Sequence, residues 1–229
     1  MDRSRRLLLA ALPAAALVSA CSSGQSADTT NQAPPVPPTP GSPDEAIAVL
    51  LEGNARFAAR TPAIRDTAEI ERVWQSGIGK SQEPFAMVLG CADSRLAPEL
   101  IFDQFVGDIF VVREAGNIAH SPTNIGSLEY GQAVLRAKAL VVLGHSDCGA
   151  VNAAFKRDAP GANIQSIVDA IKPGIAGAPT LDDAIARNVG AVITYLRTNS
   201  PLLTDAEKTG AFKIVGAVYD IKTARVGLL

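Results

Sequence analysis

The feature that most constrains the fold is a series of short, β-rich apolar runs separated by helical patterns. Three of these runs are apolar on both faces, as strands buried inside a parallel sheet are; they are Phe85–Leu89, Ile109–Val112 and Ala139–Leu143. A fourth run covers Lys213–Tyr219, and a short terminal strand is predicted at Arg225–Leu229. This alternation predicts an α/β domain with a mostly parallel central sheet of about four to five strands, flanked by helices, with a short C-terminal edge strand.

Helical periodicity accounts for much of the chain between and before these runs. Ser42, Pro43 and Glu45 have the spacing of an N-cap, a first helical residue and a capping-box carboxylate, so a helix is expected to begin there. Apolar residues also recur at helical spacing further along the chain. The predicted helices there cover approximately residues 125–138, 149–155 and 181–198.

The N-terminus has the pattern of an export signal. Arg3, Arg5 and Arg6 precede an apolar run that is too short to cross a bilayer, and small residues follow, so residues 1–20 are a predicted signal peptide. Cys21 comes directly after Val18-Ser19-Ala20, a sequence that resembles the lipobox of bacterial lipoproteins. That resemblance implies a lipid on the Cys21 thiol. An ordinary cleavage site followed by an incidental cysteine is the alternative, and the paired arginines leave twin-arginine and general secretory export both open.

A polar, proline-rich linker is predicted at residues 21–43, because such a segment cannot build a packed core. It would tether a domain at 44–229 to the outer face of the bacterial cytoplasmic membrane, or to the periplasmic face of an outer membrane. The chain has 21 basic and 23 acidic residues and no basic cluster, so no nucleic-acid partner is expected.

Two of the predicted strands run into polar loops that carry soft metal ligands. Cys91 follows the first strand, and His145 and Cys148 follow the third. Ligands bind at the carboxyl ends of parallel strands, so these side chains are expected within reach of one another. Two thiolates and an imidazole suit zinc, and three protein ligands leave a fourth position open, as in catalytic sites. Inert buried cysteines are the alternative.

Further motifs accompany these ligands along the whole domain. The ligands belong to Cys91-x-Asp93-x-Arg95 and His145-x-x-Cys148-Gly149. The other motifs are Gly53-Asn54-x-Arg56-Phe57, Gly107-Asp108-Ile109-Phe110-Val111-Val112-Arg113, Ser127-Leu128-Glu129-Tyr130 and Gly216-Ala217-Val218-Tyr219-Asp220. This combination resembles the β-class carbonic anhydrases. The resemblance implies a β-carbonic anhydrase-like fold and the reversible hydration of CO₂ to bicarbonate and a proton, by attack of a zinc-bound hydroxide.

The resemblance also implies roles for individual residues of the centre. Cys91, His145 and Cys148 would bind one Zn²⁺ per subunit. Asp93 would accept a hydrogen bond from the hydroxide, and Arg95 would hold the Asp93 carboxylate away from the metal. In some relatives this aspartate becomes the fourth zinc ligand, so an open and a closed site both remain possible.

Four residues are implied to line the substrate pocket. Gln82 would donate to the bound oxyanion, and Phe110 would form an apolar wall. Tyr130 would come from a neighbouring subunit, which implies a homodimer or a tetramer. The backbone N–H of Gly149 would bind substrate at a helix N-terminus.

Two other functions remain open. A binding or scaffold lipoprotein with a structural zinc would need neither Asp93 nor Arg95. An enzyme that hydrolyses CS₂ or COS would use the same centre, and the two reactions would differ in how substrate reaches it.

Overall fold

The computed structural model describes residues 39–63, 70, 71 and 73–229. The predicted signal peptide, Cys21 and most of the predicted linker lie outside the described residues. Among the residues that are described, no helix combines the length and apolarity that a bilayer-spanning segment needs.

A five-stranded sheet forms the centre of the domain. In chain order its strands are β1 (Ala86–Gly90), β2 (Ile109–Arg113), β3 (Ala139–His145), β4 (Lys213–Asp220) and β5 (Arg225–Leu228). Their spatial order is β2-β1-β3-β4-β5, with the first four strands parallel and β5 antiparallel to β4. The predicted α/β class, the parallel sheet and the C-terminal edge strand are confirmed.

Seven α-helices with both ends among the described residues flank the sheet. They are α1 (Pro43–Ala58), α2 (Pro98–Ile101), α3 (Pro122–Ala133), α4 (Gly149–Lys156), α5 (Ile164–Ile171), α6 (Leu181–Asn199) and α7 (Pro201–Lys208). The helix predicted at 125–138 is wrong at both ends. Ser121 caps α3 earlier, and the chain turns after Ala133, where Arg136 adopts a left-handed φ of 64°.

Apolar side chains fill both faces of the sheet. Every residue of β1 and β3 is buried, because helices cover these strands on both sides. Val88 of β1 belongs to the cluster that includes α1, α4 and α5, whereas Met87 and Leu89 belong to the cluster that includes α3 and α7. The core therefore fixes β1 and β3, and with them the start of the loops at their carboxyl ends.

Two residues of the first-helix motif serve packing. A Cβ on Gly53 would lie 1.8 Å from the carbonyl oxygen of Phe102, so α1 approaches this backbone more closely than any side chain permits. Asn54 is buried; its Nδ2 donates to the Ala224 carbonyl at 3.0 Å and its Oδ1 accepts from the Val226 N–H at 2.8 Å. Asn54 therefore ties α1 to the turn and edge strand at the C-terminus.

Candidate active site

The loops that follow β1 and β3 meet at the carboxyl edge of the sheet. Cys91 comes directly after β1, His145 is the last residue of β3, and Cys148 is the N-cap of α4. Their ligand atoms all lie within 4.8 Å of one another. The three side chains are buried, with exposed fractions of 5%, 0% and 1%. The structure thus brings together the three residues that the sequence predicts as metal ligands.

His145 presents an unpartnered nitrogen in this buried cluster. Its Nδ1 lies 2.9 Å from the carbonyl oxygen of Ser146, and since a carbonyl can only accept, Nδ1 carries the proton and donates. In the neutral ring, the lone pair then lies on Nε2. This atom is buried and finds no hydrogen-bond partner among the described residues. A buried imidazole acceptor left unpaired beside two thiols fits a zinc ligand, because the second nitrogen is already oriented by a carbonyl.

A hydrogen bond joins the two thiols. The hydrogen bond from Cys148 lowers the pKa of Cys91 despite burial, and the same hydrogen bond together with burial raises the pKa of Cys148. The Gly116 N–H also donates to Cys91 Sγ, at 3.2 Å, and the N–H groups of Ala150 and Val151 favour the Cys148 thiolate. A divalent cation would displace the thiol protons, because cysteine binds metals as the thiolate.

Arg95 binds both oxygens of the Asp93 carboxylate. Its Nε donates to Oδ1 at 2.9 Å and its Nη2 donates to Oδ2 at 2.7 Å, and the Arg95 backbone N–H adds a bond to Oδ1 at 2.9 Å. The Arg95 side chain thereby holds the pKa of the Asp93 carboxyl well below its usual range. Asp93 is consequently ionised at neutral pH and is fixed in the bidentate geometry that a guanidinium favours.

The predicted substrate-lining residues do not all lie together. Gly149 begins α4 and adjoins Cys148. Phe110 of β2 and Tyr130 of α3 lie together, with ring centroids 6.4 Å apart, and Tyr130 is 45% exposed. Gln82 precedes β1, a strand of about 17 Å at roughly 3.3 Å per residue, which separates it from the loop of Cys91. Their roles stay predictions.

Comparison with known proteins identifies the family. A family model described as carbonic anhydrase matches residues 86–226, more than half of the chain. Carbonic anhydrase 2 of Mycobacterium tuberculosis is 36% identical over 195 aligned residues, covering 81% of this chain and 92% of that protein.

Two solved structures specify the class. The β-carbonic anhydrase CcaA is 25% identical with a TM-score of 0.62, covering 79% of this chain and 86% of that one. The Coccomyxa β-carbonic anhydrase, solved with acetazolamide, is 26% identical with a TM-score of 0.62, covering 80% and 86%. The chain belongs to the β-class carbonic anhydrases. It is accordingly an enzyme of the lyase class, which confirms the resemblance noted in its motifs.

This β-carbonic anhydrase contains bracing residues to which the sequence assigned no role. Arg113, the last residue of β2, donates from Nε to the Cys91 carbonyl at 3.0 Å and from Nη2 to the Asp93 carbonyl at 2.6 Å. Buried Asn188 of α6 donates to the carbonyl of Gly116 at 2.9 Å. The topology could have indicated a role for Arg113, since β2 ends at the same edge of the sheet as β1 and β3.

Proposed function

We propose that this β-carbonic anhydrase hydrates CO₂ reversibly to bicarbonate and a proton, with one Zn²⁺ per subunit held by Cys91, His145 and Cys148. The observation that carries the proposal is the convergence of three buried side chains that can ligate a metal. Among the described residues, His145 Nε2 has no hydrogen-bond partner. Bound zinc would supply Lewis acidity that lowers the pKa of the reacting water toward about 7.

Asp93 and Arg95 act on the reacting water in this proposal. The ionised Asp93 carboxylate accepts a hydrogen bond from that water and so orients a lone pair toward the carbon of CO₂. Arg95 occupies both carboxylate oxygens, which favours the open site over one in which Asp93 is a fourth ligand. Asp93 therefore orients the reacting water by accepting a hydrogen bond from it, while the product proton leaves to solvent.

We assign Gln82, Phe110 and Tyr130 to the pocket of a neighbouring subunit in a homodimer or a tetramer. This assignment is supported by their position in their own chain, where the length of β1 separates Gln82 from the ligand loops. It is also supported by the exposure of the Tyr130 ring, which leaves it available to a second copy. The Gly149 N–H, at the start of α4, would bind the substrate oxygen from within the same subunit.

The proposal is tested by stopped-flow CO₂ hydration at about pH 8.5, above the roughly neutral pKa of metal-activated water. The zinc content of the same sample is measured. We expect fast hydration that disappears when a chelator removes zinc and returns when Zn²⁺ is restored. Hydrolysis of COS or CS₂ by a zinc-loaded sample that leaves CO₂ untouched would favour the related hydrolase. A zinc-loaded sample inactive toward all three substrates would favour the scaffold.

We further propose that the protein is exported and anchored by a lipid on Cys21, with the linker at 21–43 tethering the domain at 44–229 outside the cytoplasmic membrane. The support is the sequence of residues 1–43. Stable anchoring needs two hydrophobic signals, such as two acyl chains. We expect the wild-type protein in the membrane fraction and the Cys21→Ser variant in the soluble fraction; equal membrane retention of both would contradict lipidation.

A further inference from the structure

Arg113 contacts the two ends of the loop segment that carries the proposed chemistry. Its guanidinium donates to the backbone carbonyls of Cys91 and Asp93, at 3.0 and 2.6 Å. One of these residues is a proposed zinc ligand, and the other is the proposed acceptor for the reacting water. A single planar group therefore spans the segment on which both functions depend.

The sheet fixes the backbone of Arg113, from which this guanidinium extends. Arg113 pairs with Gly90, the last residue of β1, and the N–H of Glu114 continues the ladder with a bond to the Gly90 carbonyl at 3.0 Å. Arg113 thus extends from the last residue pair of β1 and β2 across the loop that follows β1. The planar fork of arginine presents several donors in a fixed geometry, which suits two carbonyls held at a set separation.

The partners of Arg113 are neutral, which separates its role from that of Arg95. Within the part of the chain that the structure describes, Arg113 forms no ion pair, whereas Arg95 pairs with the Asp93 carboxylate at 2.7 Å. Arg95 therefore fixes the side chain of Asp93, and Arg113 holds the backbone that carries it. The contact with Arg95 cannot replace the contact with Arg113, because a shift of the backbone would displace the Asp93 carboxylate even if Arg95 still bound it.

We propose that Arg113 is a positioning residue that sets the placement of the Cys91 thiolate relative to the Asp93 carboxylate by holding the backbone between them. This inference rests on the proposed zinc centre. Residues that orient metal ligands typically affect metal affinity or activity by about 10- to 100-fold. Loss of Arg113 is therefore expected to change both the retention of zinc and the turnover of bound CO₂.

The test compares Arg113→Met, which keeps length but removes every donor, with Arg113→Lys, which retains one cationic donor group. In zinc-loaded protein, we expect Arg113→Met to release zinc to a chelator faster and to lower kcat, each on the order of 10- to 100-fold, with KM little changed. Arg113→Lys should recover part of both losses, because its ammonium keeps the charge and the donors but lacks the planar fork that places two separate nitrogens on the two carbonyls.

Arg197→Met provides a matched control. Arg197 donates from Nε and Nη2 to Glu207 at 2.8 and 2.9 Å, and it lies near Ile214, at the amino end of β4 and so at the opposite edge of the sheet. This variant should lower Tm while keeping the wild-type kcat and zinc-release rate. If Arg113→Met only lowers Tm in the same way, the positioning role is wrong. If the wild-type protein itself neither retains zinc nor hydrates CO₂, the proposed function fails instead.

Discussion

Replacing Cys148 by serine is expected to remove zinc from the protein and to lower CO₂ hydration by at least about 10³-fold, because activation of water depends on the metal. The hydroxyl of serine is far less acidic than a thiol and is a poor ligand for zinc. Cys91 and His145 would remain as a two-ligand site, and the buried Nε2 of His145 would stay without a partner. Zinc content after desalting and stopped-flow hydration measure the two losses.

Asp147→Asn is the control for this variant, since it changes the residue next to Cys148 without changing a ligand. Asp147 is exposed and has a φ of 55°, a conformation that asparagine also adopts readily. Its contact with Arg95 is made by the backbone carbonyl, at 3.4 Å, so the substitution preserves it. The control should keep zinc and activity. A Cys148→Ser protein that also keeps both would rule out the proposed ligand set.

The strands could be predicted from the sequence because a strand that is buried on both faces consists of a continuous apolar run. β1 and β3 are continuous apolar runs in the sequence and are buried throughout in the fold. Two helices without a predicted counterpart had signals of their own. Ser200-Pro201 repeats the cap of α1 at the start of α7, and α5 carries apolar residues at helical spacing from Ile164 to Ile171. The four-residue α2 is too short for periodicity to reveal it.

The cluster of Cys91, His145 and Cys148 could be predicted because the carboxyl ends of parallel strands lie at one edge of the sheet, and thiols and imidazoles are rare in this chain. The bracing of the ligands could not be predicted in the same way. Arg113 donates to backbone carbonyls, and the Gly116 N–H donates to the Cys91 sulfur. Such contacts depend on the backbone conformation, and a backbone donor or acceptor leaves no pattern in a sequence. The proposed contribution of a second copy to the substrate pocket adds a further reason, because the sequence of one chain does not say what Tyr130 faces across an interface.

Asp93→Asn is expected to lower kcat by about 10²- to 10³-fold, the usual effect of removing one preorganised hydrogen-bonding group from the reacting centre, while zinc content stays unchanged. The substitution keeps the shape of the side chain but removes its charge. It also turns an amide NH₂ toward Arg95, which presents only donors, so one of the two bonds at 2.7 and 2.9 Å must be lost. The side chain that orients the reacting water is then uncharged and is held by fewer hydrogen bonds.

The pH profile separates this role from that of the metal-activated water. The hydrogen bonds from Arg95 keep the pKa of Asp93 far below neutral, so its charge does not change as activity rises with pH. The inflection that we expect near neutral pH would then belong to the reacting water, whose pKa bound zinc would bring toward about 7. Asp93→Asn should therefore lower the plateau and retain an inflection in the neutral range. Ser94→Ala, at an exposed neighbouring position, should leave both features unchanged. A wild-type plateau in Asp93→Asn, or a profile without any inflection in that range, would show that the carboxylate does not act on the water as proposed.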